Sequence, residues 1–154
     1  MPRKAKVNLI RVVEADTKYN SIFLGKLINK IMYDGKKSKA EFIAWKAMDI
    51  IKETLNSDPI LVFENALFNL TPMYVLKRTK VGGANHQVPV LAPQRKAQFV
   101  SFDFLITAAR NRGERSFQIK LAKEIIDANN KMGIAFKKLE DHKKMVEANR
   151  AFGK

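Results

Sequence analysis

The dipeptide Gly82-Gly83 restricts this chain more than any other feature. Two β-prone runs flank it, and paired glycines accept the positive φ that a tight hairpin turn demands. With a two-residue loop at that point, Val81 faces Ala84, Lys80 faces Asn85 and Arg78 faces Gln87. The root of the ribbon is apolar on both strands, with Tyr74, Val75 and Leu76 against Val88, Val90 and Leu91. The outer half, Lys77-Arg78-Thr79-Lys80 opposite Asn85-His86-Gln87, has almost nothing to bury. A lone two-stranded ribbon is marginal in water, so this arm, about residues 73–91, must be rooted on a larger body.

The rest of the chain supplies that body as amphipathic helices. Ile22, Leu24, Leu27, Ile28 and Ile31 recur at helical spacing, which predicts a first helix over 21–34 with Gly35 as its stop. Ala40, Ile43, Ala44, Ala47, Ile50 and Ile51 predict a second over 38–55; Phe42, Trp45 and Met48 widen its apolar surface and make it central to the core. Asp58-Pro59 is a capping side chain followed by a first-turn proline, and Phe63, Ala66, Leu67 and Leu70 carry that third helix to Pro72. After the hairpin, a fourth helix over 94–111 turns Phe99, Phe102, Ile106 and Ala109 inward. Ser116 is a good cap for a fifth over 117–130, with Phe117, Leu121, Ala122, Ile125 and Ala128 in the core. A sixth over 134–151 has a thin apolar face of Ala135, Leu139 and Val146 and lies over the bundle. The expected fold is mainly α: a single-domain six-helix bundle, residues 20–154, with a protruding β-hairpin between helices three and four. A basic extension, residues 1–19, precedes it.

Charge then limits the partners. The chain carries 29 Lys and Arg against 15 Asp and Glu, a formal +14. That surplus repels itself in the isolated fold and attracts a polyanion, with nucleic acid ahead of an anionic membrane surface. Acids vanish from whole segments: none lies between Glu64 and Asp103, whereas Lys77, Arg78, Lys80, Arg95 and Lys96 all do. Further cations gather at the N-terminal arm (Arg3, Lys4, Lys6, Arg11), at the Lys36-Lys37-Ser38-Lys39 corner, and at Arg110, Arg112 and Arg115. The absence of Cys removes disulfide and thiolate chemistry. Apolar runs stop well short of the roughly 20 residues a membrane helix needs, and no secretory signal follows the basic start. Neither His86 nor His142 has a local metal-ligand partner, Gly82-Gly83 lacks the rest of a phosphate loop, and no acid–base cluster is evident. No cofactor, no metal and no catalytic residue is expected. Basic corners with a projecting ribbon suit RNA, read by shape, phosphate and 2′-OH, better than a groove-reading helix does.

Several stretches then carry a likeness. They are Tyr19 with Leu27-Ile28-Asn29-Lys30-Ile31-Met32; Asp34-Gly35-Lys36-Lys37-Ser38; Asp58-Pro59; Val81-Gly82-Gly83-Ala84 with Gln87-Val88-Pro89-Val90; Ala108-Ala109-Arg110; and Glu147-Ala148-Asn149-Arg150-Ala151-Phe152. In order and spacing the chain resembles the bacterial-type small-subunit ribosomal protein number seven family, the universal S-seven family, along essentially its whole length. The likeness implies a non-enzymatic structural protein that binds the 3′ major domain of small-subunit rRNA and nucleates assembly of the subunit head. It implies a hairpin near exit-site tRNA and mRNA, and ribosomal proteins number nine and eleven as neighbours. It implies a cytoplasmic bacterial ribosome or an organellar one, with no membrane partner. Carried over residue by residue, it places Arg3, Lys4, Arg11, Lys36, Lys37, Lys77, Arg78, Lys80, Arg95, Arg110, Arg112, Arg115, His142, Lys143 and Asn149 on rRNA-facing segments. Lys80, Val81, Gly82, Gly83, Ala84 and Asn85 fall on the hairpin tip beside tRNA and mRNA. The chain departs from the family pattern at Val75, at Thr79-Lys80, at His86 and in its ending at Gly153-Lys154. A free-standing RNA-binding repressor or chaperone built on the same fold is the alternative.

Overall fold

A computed structural model describes residues 13–152. Six helices run in the order α1 (Ile22–Ile31), α2 (Lys37–Leu55), α3 (Pro59–Leu70), α4 (Gln94–Arg110), α5 (Phe117–Asn129) and α6 (Gly133–Ala148). Between α3 and α4 lies an antiparallel hairpin, β1 (Tyr74–Val81) and β2 (Ala84–Leu91), and a 3₁₀ turn, Arg150–Phe152, follows α6. The mainly helical architecture and the place of the hairpin are those expected. No described helix is long and apolar enough to cross a membrane.

The helix starts follow local chemistry. The Ser21 hydroxyl accepts from the Leu24 N–H at 3.3 Å, and Asp58 accepts from the Ile60 N–H at 3.0 Å with Pro59 as the first helical residue. Ser116 departs from expectation. Its backbone has the extended conformation of a cap, but its hydroxyl is buried and has no hydrogen-bond partner among the described residues. Helix α1 stops at Ile31 rather than near residue 34, because Asp34 and Gly35 both take positive φ in the turn to α2.

Leu24, Leu27, Ile28, Met48, Ile51, Phe63, Leu70, Leu105, Leu121 and Ile125 form the core, each essentially without exposed surface. Burying such a side chain stabilises the fold by about 1.5–3 kcal/mol. The centre is α5, which packs on α2, α3, α4 and α6, rather than α2. Helix α2 presents Ala40, Ala44 and Ala47, small enough for close approach. Ile22, Phe42 and Phe99, expected inside, are exposed, and Trp45 is half-buried. Each lies at the edge of an apolar stripe wider than the surface available to cover it.

The segment before α1 is tied down within the stretch read as a basic extension. Asp16 is buried and accepts from the Lys18 and Tyr19 N–H groups at 3.1 and 2.9 Å and from Trp45 Nε1 at 2.9 Å. Asp49 on α2 accepts from Lys18 Nζ at 2.8 Å and from the Tyr19 hydroxyl at 2.9 Å. The Lys18 bond is the main reason the Asp49 carboxyl lies below its ordinary range; burial opposes it and Tyr19 reinforces it. Helix α1 approaches this segment so closely that a Cβ at Gly25 would stand 2.6 Å from the Glu14 carbonyl oxygen.

The hairpin has the register its turn dictates: Val81 pairs with Ala84, Lys80 with Asn85, Arg78 with Gln87 and Tyr74 with Leu91. Gly82 and Gly83 take φ of 59° and 87°. The root is less buried than expected. Val75 is covered, but Tyr74 and Leu91 stay largely exposed, because the pleat sends alternate side chains to opposite faces and only one face meets the bundle. Helix α6 and the 3₁₀ turn support the arm, against β1 and β2 respectively.

Candidate nucleic-acid interface

Cations occupy places that the fold's own electrostatics disfavour. A helix N-terminus carries partial positive charge and favours acids. Yet no described helix has an acidic residue in its first turn. Helix α2 begins at Lys36-Lys37 with Lys39 in the same first turn, Arg95 and Lys96 lie in the first turn of α4, and Arg115 precedes α5. Such ends present backbone N–H groups and side-chain cations together, the arrangement that receives phosphate.

The structure brings two of the basic corners together. Arg110, at the end of α4, stacks over the Tyr33 ring at 4.9 Å, beside the loop that carries Lys36 and Lys37. Tyr33 is 65% exposed. Helices α1 and α4 also meet through Phe99, which lies under Lys30 Nζ at 3.3 Å and Lys96 Nζ at 5.3 Å. Lys30 also reaches Asp103 at 3.1 Å, and Lys26 sits over Phe23. Cation–π contact holds Lys26 and Lys96 against these rings without neutralising them, whereas Lys30 is also paired with Asp103. Sequence reading missed Tyr33 and Phe99; the available signal was an aromatic ring at the margin of a helix with lysines on the neighbouring one.

The hairpin forms a separate feature. Lys77, Arg78 and Lys80 are exposed and make no ion pair among the described residues, and neither do Lys36, Arg95, Arg115 and Lys143. Lys37 has only a loose contact to Glu41 at 3.9 Å. From buried Val75 to the turn is six residues, so the tip stands roughly 20 Å beyond the root. At the root, His142 of α6 shares a hydrogen bond with the Tyr74 carbonyl at 3.0 Å and tilts against Phe104 at 5.8 Å. Asn149 donates to the Met145 carbonyl at 2.8 Å, closing the end of α6. Arg3, Lys4 and Arg11 lie outside the described residues.

Arg112 faces inward instead of joining the corner around it. Its Nη1 meets Glu124 at 2.6 Å and Asp127 at 2.7 Å, and its Nε meets Glu114 at 3.1 Å. Burial pulls down the guanidinium's affinity for its proton, but the hydrogen bonds it donates to Asp127, Glu124 and Glu114 outweigh this and raise it above its ordinary value. The other Glu124 oxygen accepts from the Ala135 N–H at 2.6 Å, in the first turn of α6. Gly133 fits beside them at φ 89°; a Cβ there would come within 2.9 Å of Asp127. Arg112 therefore holds the α4–α5 turn, α5 and the start of α6 together.

The described residues contain no group of three or more His, Cys, Asp or Glu able to hold a metal. The described residues form a helical bundle with solvated cations at helix starts and on a rooted ribbon, a surface whose charge suits a polyanion. Residues 2–150 match the model of the ribosomal protein S7p/S5e family. The small ribosomal subunit protein uS7 of Mycoplasmopsis pulmonis is 48% identical over 152 residues, covering 99% of this chain and 97% of its own. Those of Acetivibrio thermocellus and Mycoplasma mobile are each 49% identical over the same shares. The chain belongs to the ribosomal protein S7p/S5e family, and its role is that of a structural, non-enzymatic constituent of the small ribosomal subunit.

Proposed function

We propose that this chain binds the 3′ major domain of small-subunit rRNA directly, nucleates assembly of the subunit head, and holds its hairpin tip beside exit-site tRNA and the mRNA path. The observation that carries the reading is the set of cations at the starts of α2, α4 and α5, where they disfavour the helix and favour a phosphate. Lys36, Lys37, Lys77, Arg78, Lys80, Arg95, Arg110, Arg115 and Lys143 are the residues offered to RNA, with Arg3, Lys4 and Arg11 of the N-terminal segment. Tyr33 and Phe99 add stacking surfaces among the cations. Arg112, His142 and Asn149 contribute by holding elements in place. Residues 80–85 form the tRNA-facing tip, and ribosomal proteins number nine and eleven are the neighbours in the head.

The test is binding of the full chain to a transcript of the 3′ major domain across a salt series. A steep fall in affinity with salt, together with co-sedimentation at one copy per small subunit in growing cells, is expected. Salt-independent binding, or recovery only in the soluble fraction, would refute the reading and favour a free-standing RNA-binding protein.

A further inference from the structure

One concavity differs in chemistry from the rest of the surface. A groove of about 640 Å³ runs between α3, the hairpin root and the start of α4. Phe68, Met73 and Leu91 line it and are 82%, 71% and 67% exposed. Lys and Arg make up 29 of 154 residues, yet none lines this groove. Its single charged lining residue is Glu64, which is exposed and makes no ion pair among the described residues.

We propose that this groove seats an apolar segment of a neighbouring small-subunit protein, with a Lys or Arg of that segment paired to Glu64. The inference rests on the chain's place in the small ribosomal subunit. Within that assembly RNA is the poor occupant. Phosphate has no cation to meet here and is repelled by the one carboxylate; the exposed anchors Phe68, Met73 and Leu91 have no group to donate to it, and polar lining residues such as Asn65 and Gln94 offer only uncharged groups. Protein is the good occupant. Large exposed apolar patches with a polar rim mark protein interfaces. Phe68 of α3, Met73 just before β1 and Leu91 at the end of β2 supply bulky anchors, and Glu64 sets the sign of the charge that must lie opposite.

The full chain carrying the photo-cross-linking residue benzoylphenylalanine in place of Phe68 is incorporated into small subunits in cells, and the purified subunits are irradiated. The expected result is a covalent link to a different protein of the subunit, lost when Glu64→Arg is added to the same chain. A link to rRNA, to a second copy or within the chain overturns the proposal. So does a protein link that survives Glu64→Arg undiminished, or no link in subunits holding one copy of the labelled chain. The same label at Met73 serves if the Phe68 variant does not enter subunits. If even the parent chain fails to co-sediment with small subunits, the ribosomal reading falls as well; absence of a link despite co-sedimentation removes the groove proposal alone.

Discussion

The Arg112 guanidinium stands 2.6 Å from Glu124, a carboxylate with no exposed surface on the inward side of α5. Removing Arg112 leaves Glu124 charged and buried, which costs about 3–5 kcal/mol. Arg112→Ala is therefore expected to lower stability by an amount in that range, and Glu124→Ala by less, because Arg112 keeps Asp127 and Glu114; chemical denaturation reads both. At a temperature where the variant stays folded, Arg112→Ala should bind the rRNA fragment as the parent does. A specific loss of RNA affinity in a stably folded Arg112 variant would instead put this arginine on the RNA.

Gly25→Ala should be destabilising by about 1–3 kcal/mol, because the added methyl meets the Glu14 backbone and neither side has a flexible tip to move. Thermal unfolding measures it. Ala at Gly113, where nothing lies within 4 Å of the position, is the control and should leave the midpoint nearly unchanged.

Trp45 on α2 ties the segment before α1 to the bundle through its indole N–H, 2.9 Å from Asp16. Trp45→Phe keeps most of the packing but leaves a buried carboxylate oxygen without that donor, a loss of about 1–3 kcal/mol. Equal stability of Trp45→Phe and parent in urea titration would contradict this.

Replacing Lys77, Arg78 and Lys80 together with Ala should leave cooperative unfolding intact, within about 0.5 kcal/mol, since none is buried. Affinity for RNA should fall, and the slope of log affinity against log salt should shrink by about 0.9 for each phosphate that is no longer neutralised. Filter binding at several salt concentrations reads both.

The Lys18–Asp49 pair sets a pH dependence. Asp49 has a folded-state pKa below 3.8, mainly through the bond from Lys18, so its contribution is present above 3.8 and is lost as pH falls through the folded value. Lys18 is raised above 10.5, mainly through the bond to Asp49, so its contribution is present below 10.5 and is lost as pH rises through the folded value. Asp49→Asn should thus unfold earlier than the parent between those limits, and the gap should close at both ends. Both side chains are more than a third exposed, 42% and 37%, so the gap is at most about 1 kcal/mol and narrows in high salt.

The elements with a local signature were legible in the sequence. Gly82-Gly83 dictated the hairpin register, and Asp58-Pro59 the start of α3, because both are settled by neighbouring residues. What escaped depends on residues far apart in the chain. Arg112 looked like one more surface arginine among Arg110 and Arg115, and its partners Glu124 and Asp127 lie 12 and 15 residues on. A trace was present: Glu124 falls three residues after Leu121 and four before Ala128, on the buried stripe of α5, where a carboxylate requires a partner. Phe99 and Phe42 were read as core because periodicity records which way a side chain points, not whether another element arrives to cover it. The groove beside Phe68 could not be foreseen for the same reason.

The two-residue turn has one more consequence. Side chains along the arm alternate between its two surfaces, and the turn fixes which residue stands across from which. Inserting a single residue in β1 alone would break that pairing. One added residue in each strand would restore it but turn the tip over, exchanging its upper and lower surfaces. Two added residues in each strand would keep both pairing and surfaces while pushing the tip outward by about 7 Å. Changes of reach are thus open to this ribbon only in matched double steps, a constraint on how a lineage could lengthen or shorten it while the lysines kept their aim.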